Sequence, residues 1–149
     1  MPFDPLLWDN KNFQWVNKLF IKKKVYTFIY IPIGFGRAMR QLNKLVKAAG
    51  EKNIDNLCLS HHLSPWIMNV YLAVDREIQN ANKASFSGNY LSRVYEGAFN
   101  EAGIWCNDFE TDAKAKGIKI NKMYMWYTTC PKCAKKQGKN YVVIISEIE

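Results

Sequence analysis

Two carboxylates stand out because their neighbours are apolar or aromatic. Glu96 closes the β-rich run 90–95 and precedes Gly97 and a helix-forming segment. The positive end of a helix favours an ionised carboxylate, which suits Glu96 to the work of a general base more than to that of a general acid. Capping the helix, with no part in chemistry, is the plainer use of the same residue. Glu147 lies in 142–148, a stretch otherwise almost wholly apolar. An acid in such a run either sits at an exposed strand end or faces a pocket, so Glu147 is the competing candidate base.

Aromatic residues supply the other half of a possible site. Five Trp and eight Tyr among 149 residues exceed what a plain core requires, and such residues line pockets and interfaces. The candidate ligand contacts are Trp66, Asn69, Tyr71, Tyr95, Trp105, Tyr124, Trp126 and Tyr127. A strand turns successive side chains to opposite faces. Met68, Val70, Leu72 and Val74 form a uniformly apolar set suited to meet helices, which leaves Ile67, Asn69, Tyr71 and Ala73 for the other face. Within 123–128 the same alternation pairs Tyr124 with Trp126 and Met125 with Tyr127, and either pair could line a pocket. Core filling or a dimer interface would use the same residues.

Other chemistries find less support. His61 and His62 fall in a polar, proline-containing stretch read as a solvated loop, and adjacent histidines on an extended chain point apart. Gly34-Phe35-Gly36 lacks the third glycine of the dinucleotide fingerprint and the Lys-Ser/Thr of a P-loop. Neither a Gly-x-Ser-x-Gly elbow nor a His-Glu-x-x-His helix occurs. These absences argue against nucleotide cofactors, serine-hydrolase chemistry and zinc proteolysis, and no cofactor is expected.

The elements that must position these residues follow from periodicity. Residues 24–33 read as a strand ending at Pro32 and Gly34. From 37 to 49 the apolar residues recur at helical spacing, Arg37, Arg40, Lys44 and Lys47 face away, and Gly50 is the C-cap. Strands at 56–60 and 66–74 complete a β-α-β-β unit. The second half repeats the order, with a strand at 90–95, a helix at about 99–116 capped by Gly117, and strands at 122–128 and 141–148. The expected fold is α+β, two pseudo-repeated β-α-β-β units forming one mainly antiparallel sheet with two helices on one face. It is read as a single domain over 1–149. Residues 1–23 are an N-terminal lid or edge segment, 24–74 the first repeat, 75–88 a connector with a short helical turn at 76–80, and 89–149 the second repeat.

The duplication, the phrase Tyr90-Leu91-Ser92-Arg93-Val94-Tyr95-Glu96-Gly97-Ala98-Phe99 and Trp105 on the following helix resemble the GyrI-like family over about 24–148. The resemblance implies a two-repeat α+β domain with a concave, aromatic-lined groove, used as a drug-sensing module in multidrug regulators and as a stand-alone small-molecule binder. Some stand-alone relatives look like hydrolases of cyclopropane-containing xenobiotics, in which a glutamate activates water beside pocket aromatics. The expected function is therefore binding of a small hydrophobic or aromatic molecule in a groove between the repeats, with hydrolysis by a Glu-activated water as an option and not a requirement. A non-catalytic sensor or sequestering protein is the alternative.

Composition narrows the partners. Apolar types make up 48% and charged types 23%, which fits an ordinary folded domain and argues against disorder or coiled coil. The net charge of +8 would attract nucleic acid if gathered in one stripe, but basic residues are scattered and the second helix carries Glu101, Asp108, Glu110 and Asp112. Nucleic acid is the less favoured class. No stretch approaches the roughly 20 apolar residues of a membrane span, so no membrane association is expected. Without a secretory pattern at the N-terminus a cytoplasmic location is expected, as a monomer or homodimer.

Cys130-Pro131-Lys132-Cys133 has the spacing of half a structural zinc site, and the remaining ligands would have to come from Cys58, Cys106, His61 or His62. A thioredoxin-like motif opens a helix, whereas this one lies between two strands. The pair is expected to close a hairpin over 128–140 without a full zinc shell. Elemental analysis of the purified protein should find no stoichiometric zinc. One tightly held equivalent, lost together with the fold on chelation, would overturn that reading.

Overall fold

An eighteen-residue strand, β1 (Lys11–Phe28), opens the chain after a 3₁₀ turn at Pro5–Leu7. The computed structural model describes residues 5–29, 31–33, 35–50, 57–74, 77–97, 101–127 and 141–149. β2 (Ile31–Pro32), α1 (Phe35–Ala48), β3 (Cys58–Ser64) and β4 (Ile67–Ala73) follow. Then come β5 (Asn82–Glu96), α2 (Ala102–Ala115), β6 (Ile120–Tyr127) and β7 (Tyr141–Ile148). The fold is α+β with mainly antiparallel strands. The chain divides into two compact units, Met1–Trp15 with Gly88–Glu149 (unit 1) and Val16–Ser87 (unit 2).

In unit 2, β4 is antiparallel to β1, with Ile21 opposite Leu72 and Val25 opposite Met68, and antiparallel to β3. Met68, Val70, Leu72 and Val74 pack with Ala38, Leu42 and Val46 of α1, so the expected helix-facing set is the one observed. Three apolar residues four apart put one stripe of α1 on the sheet, while Arg37, Arg40, Lys44 and Lys47 stay exposed. Gly50, at φ 72°, takes the left-handed position that ends the helix.

In unit 1, β7 is paired antiparallel with β5 on one side and β6 on the other. α2 packs Trp105 and Phe109 on Leu91, Met125, Val142 and Ile144. Gly117, at φ 71°, ends α2, and the Ile118 N–H closes back on the Ala113 carbonyl at 2.9 Å. Gly97 leads toward this helix at φ 153°, and a Cβ there would lie 3.1 Å from the Trp105 ring.

Several boundaries differ from the sequence reading for physical reasons. The first strand begins at Lys11 rather than at 24, so of the two readings of residues 1–23, lid or edge segment, most of the segment is strand. Asn17, at φ 51°, breaks the two-residue alternation and hides the continuity of β1. His61 and His62 sit inside β3, half-buried, and not in a loop. β5 starts at Asn82, within the presumed connector, because Ala84 and Phe86 alternate inward among polar residues. Residues 77–80 are not helical. α2 begins at Ala102 instead of about 99, and the Cys130–Cys133 hairpin lies outside the described residues.

Ile29 follows β1 at φ 47° with 57% of its surface exposed. A left-handed conformation costs an L-residue about 1–2 kcal/mol, and a β-branched side chain suits it least, whereas Asn tolerates it. Ile29→Asn should therefore raise unfolding free energy by about 1 kcal/mol, read as a shift in the urea midpoint at unchanged slope. A lower midpoint would show that the Ile29 side chain contributes packing that its exposure does not suggest.

Candidate functional site

Once α2 has taken one face of β5, β6 and β7, strand alternation turns the other set of side chains toward a helix-free face of unit 1. The register lines these up in three rows. Tyr90 stands opposite Glu147 and Glu147 opposite Lys122. Ser92, Ile145 and Tyr124 form the second row, and Val94, Val143 and Trp126 the third. One carboxylate thus lies between a phenol and an ammonium, next to two rows that are apolar and aromatic but for Ser92.

Residues 8–15 of the same unit lie on this face. The 3₁₀ turn, closed by the Trp8 and Asp9 N–H groups on the Pro5 carbonyl, delivers Trp8 edge-on to Trp126 at 5.1 Å and to Phe13 at 5.7 Å between ring centroids. Phe13 stacks on Tyr90 at 5.8 Å, and Trp15 reaches the same ring at 4.6 Å. Two hydrogen bonds pin the segment. Ser92 Oγ donates to the Trp8 carbonyl at 2.5 Å, and the Val94 N–H donates to Asp9 Oδ1 at 3.1 Å.

The electrostatics of the first row are set by burial. Tyr90 is 2% exposed, and desolvation, with the nearby Glu147 carboxylate adding to it, pushes its phenol up to about 12. Tyr90 therefore keeps its proton at neutral pH and can donate a hydrogen bond beside a carboxylate. Gly88 leaves room there, since even an added Cβ would remain 3.6 Å from Glu147 Oε1. An open hollow of ≈ 370 Å³ passes Phe13 and Tyr90 on the surface.

The residues singled out from sequence are distributed as follows. Glu147, Tyr124 and Trp126 share the helix-free face of unit 1. Glu96 falls on the same alternate positions as Tyr90 and Ser92, exposed at the end of β5, and position 101 is the N-cap of α2. Tyr95, Trp105 and Tyr127 lie on the α2 side. Trp105 stacks on Tyr95 at 5.9 Å, and the Tyr95 hydroxyl donates to Asp108 at 2.7 Å. Burial, reinforced by that bond, raises the Tyr95 phenol well above its usual value. Arg93 completes the cluster with Asp112 at 3.1 Å. These are packing and surface contacts of a helix.

Trp66, Asn69 and Tyr71 belong to unit 2. Asn69 Nδ2 donates to the Tyr71 hydroxyl at 3.4 Å, and the Tyr71 ring meets Phe20 at 6.5 Å and Phe86 at 5.1 Å. Trp66 is half exposed beside Phe28. Sequence reasoning did not place Phe13, Trp15, Tyr90 and Ser92 around Glu147. Their signal was the alternation Phe13, Trp15 and Tyr90, Ser92, which becomes informative only when the strand partners are known.

The whole chain was compared with known proteins. No curated protein matches it. Among solved structures, an uncharacterized conserved protein from Listeria innocua is similar, with 11% identity, a TM-score of 0.70, and 95% of this chain and 92% of that one covered. A hydrolase from Listeria innocua shares 12% identity at a TM-score of 0.65, covering 95% and 93%. The EcmrR C-terminal domain shares 10% at 0.63, covering 96% and 98%. Identities this low show a common fold. A family model described as bacterial hydrolase matches residues 1–148, and the chain accordingly belongs to the bacterial hydrolase family.

Proposed function

We propose that the protein binds a small hydrophobic or aromatic molecule on the helix-free face of unit 1 and hydrolyses it with water activated by Glu147. The observation that carries this reading is the first row, in which Glu147 stands between Tyr90 and Lys122 at the edge of a surface built from Tyr124, Trp126 and the rings of residues 8–15. Membership of a hydrolase family supports the reaction class. A solved hydrolase with the same fold supports it too. The GyrI-like resemblance supports the ligand class.

The proposed chemistry uses groups already in place. Glu147 takes a proton from water as the water oxygen attacks the substrate, and that proton then passes to the departing atom, leaving the carboxylate unchanged. The Tyr90 hydroxyl donates a hydrogen bond toward the same place, and the rings exclude bulk water, which strengthens both interactions. A ligand entering beside Trp126 competes with the Trp8 ring alone, while Phe13 and Trp15 stay on Tyr90. Aromatic pairs contribute about 0.5–1.5 kcal/mol beyond burial, so a ligand offering equivalent ring contacts can displace Trp8 from Trp126 at modest cost.

Two tests follow. In a screen of small aromatic compounds, a binder at 100 times its dissociation constant should stabilise the protein by about 2.7 kcal/mol and change tryptophan fluorescence. With a compound that is turned over, Glu147→Gln should lower kcat by about 100- to 10,000-fold with affinity within a few-fold, while Glu96→Gln should leave both near wild type. The rate should stay level from neutral pH up to the unperturbed tyrosine range, because Tyr90 loses its proton only near 12. Binding without turnover in any screened compound would instead support a sensor or sequestering protein. Loss of turnover in Glu96→Gln alone would move the base.

A further inference from the structure

Among the described residues of unit 2, six large apolar side chains near two turns are open to solvent: Tyr26, Phe28, Ile29, Ile33, Leu63 and Trp66, each 52% to 66% exposed. They belong to two turns held together. The Thr27 N–H donates to the Trp66 carbonyl at 2.8 Å, and Thr27 Oγ1 donates to the Pro65 carbonyl at 2.7 Å. The Ile33 N–H donates to the Tyr26 carbonyl at 2.9 Å, and the Phe28 and Trp66 rings lie 5.7 Å apart. The backbone is tied down while the large side chains face water, and a group of exposed apolar side chains on neighbouring turns marks an interaction surface.

The charge around it has one sign. Between Asp9 and Glu51 the chain carries nine Lys and Arg and no Asp or Glu, and between Asp55 and Asp75 it carries none of the four types. Unit 2 holds eleven Lys and Arg against four Asp and Glu, whereas unit 1 holds ten against nine. The excess over the whole chain is therefore concentrated in the unit that bears these apolar side chains. Lys24 precedes Tyr26 on the same strand face, and α1, with Arg37 and Arg40 exposed, starts two residues after Ile33.

We propose that these turns of unit 2 dock on an anionic membrane surface, with the apolar side chains entering the interface and the basic residues facing the headgroups. Reversible attachment of this kind takes an apolar anchor together with a polybasic patch, and both are present. Trp and Tyr are the side chains favoured at the headgroup level. A second copy of the chain would bring two strongly basic surfaces together. Single-stranded nucleic acid would stack on the rings but leave Ile29, Ile33 and Leu63 in water. Among the described residues no helix is long and apolar enough to cross a membrane, which bears on spanning a bilayer and not on lying against one.

Flotation of the full chain with phosphatidylcholine vesicles, with and without phosphatidylglycerol, tests the proposal at low and physiological salt. Binding should be about tenfold or more tighter to the anionic vesicles and weaken with salt. Trp66→Ser and Ile29→Asn should each weaken it by about tenfold, and the pair Arg37→Gln with Arg40→Gln should lose most of the salt dependence. If Trp66→Ser fails to fold by circular dichroism, the other variants decide. Absence of binding at low salt, or equal binding to both vesicle types, overturns the proposal. So does a dimer, or retention of an oligonucleotide, that is lost in these variants while vesicle binding is unchanged.

Discussion

β7 is hydrogen-bonded on both sides within unit 1, to β5 and to β6, and the five residues from Val142 to Ser146 have no exposed surface. A strand paired on both edges and covered on both faces must be apolar on both. Its one polar residue in that run, Ser146, is satisfied by donating to the Lys122 carbonyl at 3.0 Å. Glu147 comes next, at the first position where the strand regains contact with solvent. That placement lets a carboxylate stay half-buried beside aromatic rings without being an isolated buried charge. Everything in the candidate site is registered against this strand.

The two faces of the same three strands then divide the labour. α2 needs bulk, and Trp105, Phe109 and Met125 fill its side. The opposite face gathers Tyr90, Tyr124 and Trp126, with the rings of Phe13 and Trp15 against Tyr90 and that of Trp8 against Trp126. Ser92 and Asp9 convert that cover from mere collapse into a fixed register, since each satisfies a specific backbone partner.

Much of this was legible in the sequence where a period was clean. α1 and β7 matched because an uninterrupted helical stripe and a continuous apolar run permit one reading each. The helix-facing set of β4 was also legible, since Asn69 and Tyr71 break the apolar pattern on alternate positions. β1 was cut short because Asn17 shifts its alternation, and β5 because its first half is polar. The choice within β6 between Tyr124 with Trp126 and Met125 with Tyr127 could not be made from one strand; it is decided by which face α2 occupies. The concentration of charge in unit 2 was invisible to a net value and emerged only once the chain was divided.

If the helix-free face of unit 1 receives the ligand, its tryptophans must report the binding. Fluorine NMR of protein labelled with 5-fluorotryptophan tests it most directly, because the five tryptophans are spread over both sides of α2, the N-terminal segment and unit 2. Trp105 reports the sheet face that α2 covers and Trp126 the opposite one. On saturation with a small aromatic compound that binds the protein, the resonances of Trp8 and Trp126 should shift while those of Trp105 and Trp66 hold their positions. Shifts confined to Trp105 or Trp66, with Trp8 and Trp126 unmoved, would contradict the account.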